Sequence, residues 1–558
     1  MVELFVRLYV SWSDDVSRFI LGACDRYKPT VLFIFLPSIV GCNHDLKSHE
    51  SSSTDPSHFG GAKNVVWLVC EDQSLWMPPY GDSTASMPHL SSLSADGTVF
   101  ENMFSNAPVC APSRSSIITG KLPPLIGSHH MRSYLGEDIL LNVHTGLPSY
   151  SIPAPAGVKM FTEQLRASGI CCLNNSKEDY NFKPTPLAWD ESSPSAHWDL
   201  LPQEIKFFSV FNYFGTHESR IWNTVEAPCQ ADFLDVPIPK LLPEHPEVRK
   251  DVHQNYCNLE RLDDWVGHHV GRLKEEGIYD QTMFVFFSDH GGPFPGYKRD
   301  LSDAGLHVPF VVKWPKGVSH PKRNSGLFSF IDLSVTILHW LGVSINTSFS
   351  QQVILPFGEG HKAVFGASDR MDEQEGRRRS VRTAKWRLTH NSSSARPGVA
   401  HYASEMRTTK VLNSSSSTKK LTEFELYDMS RNQLVPLGAQ EQSHYKNVID
   451  SLKQLLDAVF NPMTDLGRIE EREMFTSAME SIEAYTLAAP DIIFRGDSMQ
   501  LAHSDSSVSL GWRLDNEVKW RVTTSRSWMD ISNGRDSVHA IASRIGYESG
   551  SRSMKLGR

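Results

Sequence analysis

The chain lacks a broad basic excess: 55 Lys and Arg stand against 64 Asp and Glu, a formal net charge of -9. That excludes a general nucleic-acid binder, yet leaves room for an anionic ligand held by a few local cations. Cysteine is sparse, 8 in 558 residues, and forms no CxxC pair or zinc-like spacing, so no structural zinc site is expected. Long apolar runs are missing too. The candidate at Val31–Leu36 with Ile39–Val40 behind it is too short for a comfortable membrane helix. What is present is ample apolar mass, 40% hydrophobic residues with 13 Trp, in a length that suggests about two to four structural units.

Arg26 and Lys28 precede that apolar run, and Ile39-Val40-Gly41-Cys42 follows it. A basic start, a short apolar stretch and small residues before a cleavage point describe a secretory leader over 1–42. The last four residues also resemble a bacterial lipobox, which makes Cys42 a candidate lipid anchor. Asp14, Asp15 and Asp25 are foreign to such a leader and suggest a true start further along. A polar stretch at 43–60 reads as a flexible tether. The expectation is an exported protein, periplasmic or anchored at the outer membrane of a bacterium. Export would permit one or two disulfides among Cys70, Cys110, Cys171, Cys172, Cys229 and Cys257, with the pairing open.

Asn64–Cys70 and Thr282–Ser288 are continuous apolar runs, as expected of strands buried on both faces. Strands and helices alternate from 64 to 345, the signature of a largely parallel α/β sheet. Several strands end in polar residues: Glu71-Asp72, Lys177, His217 and Asp289-His290. Ligands bind at that edge in such sheets. Cys110-Ala111-Pro112-Ser113-Arg114 comes just before an apolar run closed by Gly120. Ser113 and Ser116 are capping residues, so a helix starting near Ser113 is expected, with Cys110 at its mouth. Alone, Cys110 suits a buried structural role. Beside acids that suit Ca²⁺ or Mg²⁺, and beside Arg114, Lys177 and Lys298 or Arg299, it belongs to equipment for displacement at a phosphoryl or sulfuryl centre.

Cys110–Arg114 with Ile118-Thr119-Gly120 resembles the signature of the formylglycine-dependent sulfatases. Asn64–Asp72 and Ser288–Gly291 match further family motifs in the family's order, and the resemblance covers about 62–465. It implies an alkaline-phosphatase-like fold: a large, mostly parallel mixed sheet flanked by helices in a catalytic domain at 61–360, and a smaller α+β subdomain at 361–470. The alternating tail at 485–556 reads as a small β-sandwich-like domain. Asn174–Phe182, Gly215–Ser219 and Gly305–Pro309 resemble the heparan N-sulfatase-like branch.

By this resemblance Cys110 becomes formylglycine (3-oxoalanine), whose hydrate is the nucleophile, through a formylglycine-generating or sulfatase-maturing enzyme. Glu71, Asp72, Asp289, His290 and the modified Cys110 would hold one Ca²⁺. Arg114 would hold the hydrate, Lys177 and Lys298 or Arg299 the sulfate oxygens, and His217 would protonate the leaving group. His129, His130 and Arg132 would contact the sugar, as would Asp179, which stands where many members have histidine. The implied substrate is a sulfated saccharide, O- or N-sulfated. The alternatives are a phosphonate or phosphodiester hydrolase, and a catalytically idle carbohydrate-binding homologue.

Overall fold

The computed structural model describes residues 63–556 except 137–140, 203, 224–228, 346–350, 394–400, 415–419, 432–433, 481–484 and 533–536. The expected leader and the whole tether therefore lie outside the described residues.

Nine strands form the main sheet: β1 (Asn64–Cys70), β2 (Thr98–Phe104), β3 (Cys171–Asn175), β4 (Glu191–Ser192), β5 (Phe207–Tyr213), β6 (Thr282–Ser288), β7 (His307–Val308), β8 (Phe310–Lys313) and β9 (Arg323–Ser329). Their order is β4-β3-β5-β1-β6-β8-β2-β7, with β9 beside β2. β4, β3, β5, β1 and β6 are mutually parallel. β8 runs antiparallel to β6, and β2 antiparallel to β8, so β2 points the same way as β1 and β6. The sheet is thus more mixed than the alternation suggests. The connection from β6 to β8 carries the short strand β7 and, as helix, only the four-residue turn Asp303–Leu306, too little for the usual helical crossover between parallel strands.

Every residue of β1 is buried. Val65, Trp67 and Val69 enter one core, where they meet α3 (Phe161–Ala167) and α5 (Ile331–Trp340) through Phe161, Leu165, Leu333 and Ile337. Val66, Leu68 and Cys70 enter the other, against α1 (Pro88–Ala95) and the 30-residue α4 (Pro246–Glu275) through Leu90, Leu93, Leu259 and Leu262. Period-two alternation with both faces apolar explains the unbroken hydrophobic run. Each such side chain contributes roughly 1.5–3 kcal/mol by burial. Helix α2 (Cys110–Thr119) follows β2.

Four further strands form an antiparallel sheet in sequence order, β10 (Ala363–Ser368), β11 (Arg378–Thr383), β12 (Trp386–Asn391) and β13 (Phe424–Asp428). Leu452 and Leu456 of α6 (Lys446–Val459) cover Val381, Leu388 and Leu426. After 490, a three-stranded and a four-stranded sheet enclose one core containing Met499, Leu501, Leu510, Trp512, Val538 and Ala540. This sandwich docks closely on the main body. A Cβ on Gly511 would fall 2.4 Å from Leu187 Cδ2, and Arg544 and Lys159 donate across the junction to Ala154 O and Val508 O at 2.7 Å each. Cys229 and Cys257 form a disulfide, while Cys70, Cys110, Cys171 and Cys172 are free thiols.

Candidate active site at the strand ends

Because β3, β5, β1 and β6 are adjacent and parallel, the loops after them lie side by side, and β2 delivers α2 to the same edge. Hydrogen bonds between the loops fix this arrangement: Glu71 N to Thr216 Oγ1 (3.2 Å), Gln73 N to Ser288 Oγ (2.8 Å) and Glu218 N to Asp72 Oδ2 (2.7 Å).

Helix α2 starts at Cys110, a turn earlier than the expected start near Ser113. Val109 is its N-cap, without a side-chain cap. The helix is buried along its whole length, so its serines serve tertiary partners. Ser113 Oγ donates to Asp289 O (2.5 Å), and Ser116 Oγ to Asn106 Oδ1 (2.9 Å). The first-turn N–H groups at Cys110 thus keep their positive end for another partner.

Around Cys110 the structure gathers Glu71, Asp72, Asp289, His290 and His217. Ligand atoms of Glu71, Asp72, Cys110 and His217 lie within 4.8 Å of one another, as do those of Cys110, Asp289 and His290. Cys110 Sγ is 3.3 Å from His290 Nε2, which stands 3.0 Å from Asp72 Oδ1. Cations interleave with these acids. Arg114 Nε meets Asp289 Oδ2 at 3.1 Å and its Nη1 meets Asn212 Oδ1 at 2.7 Å. Lys177 Nζ is 2.7 Å from Glu71 Oε2, and Lys298 Nζ 2.7 Å from Asp72 Oδ2. Lys298 Nζ also stands 3.3 Å from His217 Nε2.

The charges shape one another. Burial works against ionising Asp72 and Asp289, but Lys298 beside the first and His290 and Arg114 beside the second hold both below the usual range. Burial wins at Glu71 and raises it despite Lys177 and Arg114. Asp289 and Asp72 outweigh burial at His290, which is pushed up to about 10. Burial, then the charge of Lys298, holds His217 down to about 3.

The donor set fits a hard divalent cation. Three carboxylates with no solvent exposure converge with one imidazole, and the buried Glu71 Oε1 has no hydrogen-bond partner among the described residues. Binding such an ion would release the proton of His290. Arg114 Nη2 is likewise buried without a partner, so a cation valence also remains open. An oxyanion beside a metal would complete both.

Backbone strain concentrates here as well. Asp72 (φ 55°), Arg132 (φ 55°), Asp179 (φ 51°), Arg299 (φ 70°) and Asp372 (φ 55°) are left-handed non-glycine residues. Each such conformation costs on the order of 1 kcal/mol and persists where the surroundings over-determine it.

Arg299 differs from its expected role. It is clamped by both oxygens of Glu218 (2.8 and 2.9 Å) and by Asp372 Oδ2 (2.6 Å), which leaves Lys298 as the cation next to His217. Asp179 is held by Lys177 (3.4 Å) and Arg132 (3.8 Å), and Arg132 keeps a side chain 40% exposed. His129 and His130 depart from the expected sugar contact: they are 1% and 7% exposed and pack toward the 369–379 segment and Glu471. His130 Nδ1 accepts from Arg370 N (3.3 Å). Both rings face inward toward Arg370, Arg379 and Glu471, while Arg132 turns out.

Sequence reasoning missed Asn212, Glu218 and Asp372. The first two adjoin the β5 end and could have been taken with it. Asp372, from the second sheet's first turn, has no local signal.

The chain matches the Sulfatase family over residues 63–170 and 193–343. An ulvan-active sulfatase of Formosa agariphila is 29% identical over 548 residues, covering 87% of this chain and 90% of that one. An N-sulphoglucosamine sulphohydrolase of Homo sapiens is 25% identical over 370 residues, covering 59% and 73%. Among solved structures, a phosphonate monoester hydrolase from Silicibacter pomeroyi superposes with a TM-score of 0.52 at 16% identity, covering 72% of this chain and 96% of that one, so the fold alone does not choose between sulfur and phosphorus. The family match and two relatives that are both sulfate-releasing by name agree, and on these grounds the chain belongs to the sulfatase family of the alkaline-phosphatase-like superfamily.

Proposed function

We propose that this enzyme removes sulfate, as O-ester or N-sulfate, from a sulfated polysaccharide or its oligosaccharides. One observation carries the reading: an open cation valence (Arg114 Nη2) and an open carboxylate valence (Glu71 Oε1) are buried around Cys110, a gap suited to a metal and a sulfuryl group together. The names of the relatives, one active on ulvan and one on N-sulphoglucosamine, support a saccharide as the carrier.

In this reading Cys110 would be matured to formylglycine, whose hydrate would be the nucleophile, and Glu71, Asp72, Asp289 and His290 would hold a Ca²⁺, which would supply fixed positive charge. Arg114, fixed by Asp289 and Asn212, orients the group at position 110. Lys177 and Lys298, brought in from two strand ends, bind sulfate oxygens and stabilise charge as it develops. His217 delivers a proton to the departing oxygen or nitrogen from Nε2. The ring is oriented by Ser219, whose Oγ is 2.9 Å from Nδ1. Burial, Lys298 and Lys177 keep His217 unprotonated, and an entering sulfate offsets the charges of the two lysines. Burial excludes water and strengthens each of these interactions.

The leader motif supports export and lipidation at Cys42. A maturing enzyme is required as partner.

The test is sulfate release from oligosaccharides of ulvan and of heparan sulfate, with an aryl phosphodiester as competing substrate, alongside mass spectrometry of the Cys110 peptide. Sulfate release with an aldehyde at 110 is expected. An unmodified thiol in active protein, or turnover confined to the phosphodiester, would overturn the reading. Chelation should lower the melting temperature of the protein and Ca²⁺ restore it.

A further inference from the structure

Next to His217 the surface carries aromatic rings that the reaction itself does not require. Phe214 is 44% exposed and Tyr402 48% exposed, unusual for large apolar side chains beside a buried charged site. Phe214 stacks on the His217 ring (centroids 4.9 Å apart, planes at 20°), and Tyr402 stands 6.1 Å from the same ring at 58°. Trp222 backs Tyr402 edge-on at 5.6 Å, which fixes the tyrosine ring while leaving it open to solvent. The two exposed rings come from different parts of the chain, the turn after β5 and the 401–405 turn.

The placement of Tyr402 is built rather than incidental. His401 N donates to Glu373 Oε1 at 2.5 Å, and the neighbouring Asp372 clamps Arg299, so one turn of the second sheet pins the aromatic segment to the reaction centre. On the far side, Thr408 N and Oγ1 anchor the following helix to the buried Asp251 at 2.6 and 2.8 Å.

We infer that Tyr402 forms the wall of a leaving-group subsite that takes the apolar face of a sugar ring, with Phe214, stacked on His217 and with Arg220 over its ring at 4.6 Å, beside the imidazole. This inference rests on the saccharide reading above. The argument is one of position and chemistry. His217 is the proton donor to the leaving atom, so whatever carries that atom must lie against the surface around His217. That surface is aromatic on two sides. A pyranose presents a face of C–H groups that packs on aromatic rings, while its hydroxyls remain in water or meet polar neighbours. A wall of this kind also gives the subdomain after residue 360 a share in substrate binding, through Tyr402 and the turn that holds it. The open ring face is that of Tyr402, so the wall selects for the sugar ring and leaves the sulfate to the cations of the site.

Binding to the full-length matured protein tests this with two probes, chemically desulfated oligosaccharides of ulvan and of heparan sulfate, and inorganic sulfate. For Tyr402→Ala, saccharide affinity should fall about tenfold, the loss of one good ring contact, and Tyr402→Phe should stay within about twofold. Inorganic sulfate, read as a shift in melting temperature, should bind both variants as it binds the parent. Unchanged saccharide affinity in Tyr402→Ala, an equal loss in Tyr402→Phe, or no saccharide binding by the parent would each overturn the wall. Failure of the saccharide-sulfatase reading shows separately, as absence of sulfate release from any sulfated saccharide by a parent protein that carries the aldehyde.

Discussion

Two clusters of buried charge lie in this molecule, and they differ in completeness. Around Cys110, three carboxylates, two lysines and Arg114 leave Glu71 Oε1 and Arg114 Nη2 without partners. Around Arg379, Asp369 and Asp465 supply two carboxylates to one guanidinium at 2.6–3.1 Å, and Arg370 pairs with Glu471 close by. Both are interior and both cost desolvation. In the second the ion pairs are matched, joining β11 to the segment leading into the tail, and the buried nitrogens left without partners beside it belong to the imidazoles of His129 and His130, not to its charged groups. The first is open, lined by strained backbone, and aimed at one sulfur atom. Burial of charge therefore does not mark the site; unsatisfied valence around a nucleophile position does.

The sharpest way to separate the clusters is to remove a member of each. Cys110→Ala should abolish sulfate release, by at least about a thousandfold as expected for loss of a nucleophile, while thermal unfolding stays within a few degrees of the parent. Turnover near the parent level would dissolve the distinction. Arg379→Ala should do the reverse. It strands two buried carboxylates and should cost about 3–5 kcal/mol of stability in denaturant titration, with kcat per folded molecule preserved.

A smaller effect is expected where the open cluster is supported rather than formed. Glu218 accepts both nitrogens of Arg299 and stands 3.1 Å from Lys298. Glu218→Gln keeps the shape but removes the charge that aligns Lys298. A fall of about tenfold in kcat with little change in KM is expected, since Lys298 acts most strongly on charge developing in the transition state. An unchanged kcat would show Glu218 to be part of a closed structural cluster like that of Arg379.

How much of this was legible beforehand follows the same division. β1 and β6 announce themselves because burial on both faces demands unbroken apolar runs, and their acidic ends are adjacent in sequence to those runs. The antiparallel β8 was not foreseen, since an apolar strand looks alike in either direction. The start of α2 differs from the expected one because capping rules assume a helix end in water, where Ser113 Oγ has no better partner than the N–H groups of its own helix. Here it donates to the carbonyl of Asp289, from another strand end. Arg299 and Asp372 meet across 73 residues, and no local pattern encodes such a pairing. Tyr402 is equally silent, because a tyrosine in a turn says nothing about which ring it will face.

The gentlest probe of the closed cluster is pH. His130 is packed among His129, Arg370, Asp369 and Glu471, and burial, with His129 adding to it and Glu471 opposing, lowers it to about 3. In the unfolded chain it would titrate near 6.5. Between those values the unfolded state binds the proton and the folded state does not, so the stability this group confers is full above about 6.5 and is lost as pH falls toward 3. His130→Gln removes the titration while keeping an amide able to accept from Arg370 N. Its unfolding midpoint should therefore depend less steeply on pH between about 6.5 and 4 than that of the parent, even if it starts lower at neutral pH. Parallel curves would mean that His130 takes up its proton within the fold, with Glu471 as counter-charge, and that the second cluster is less closed than its distances indicate.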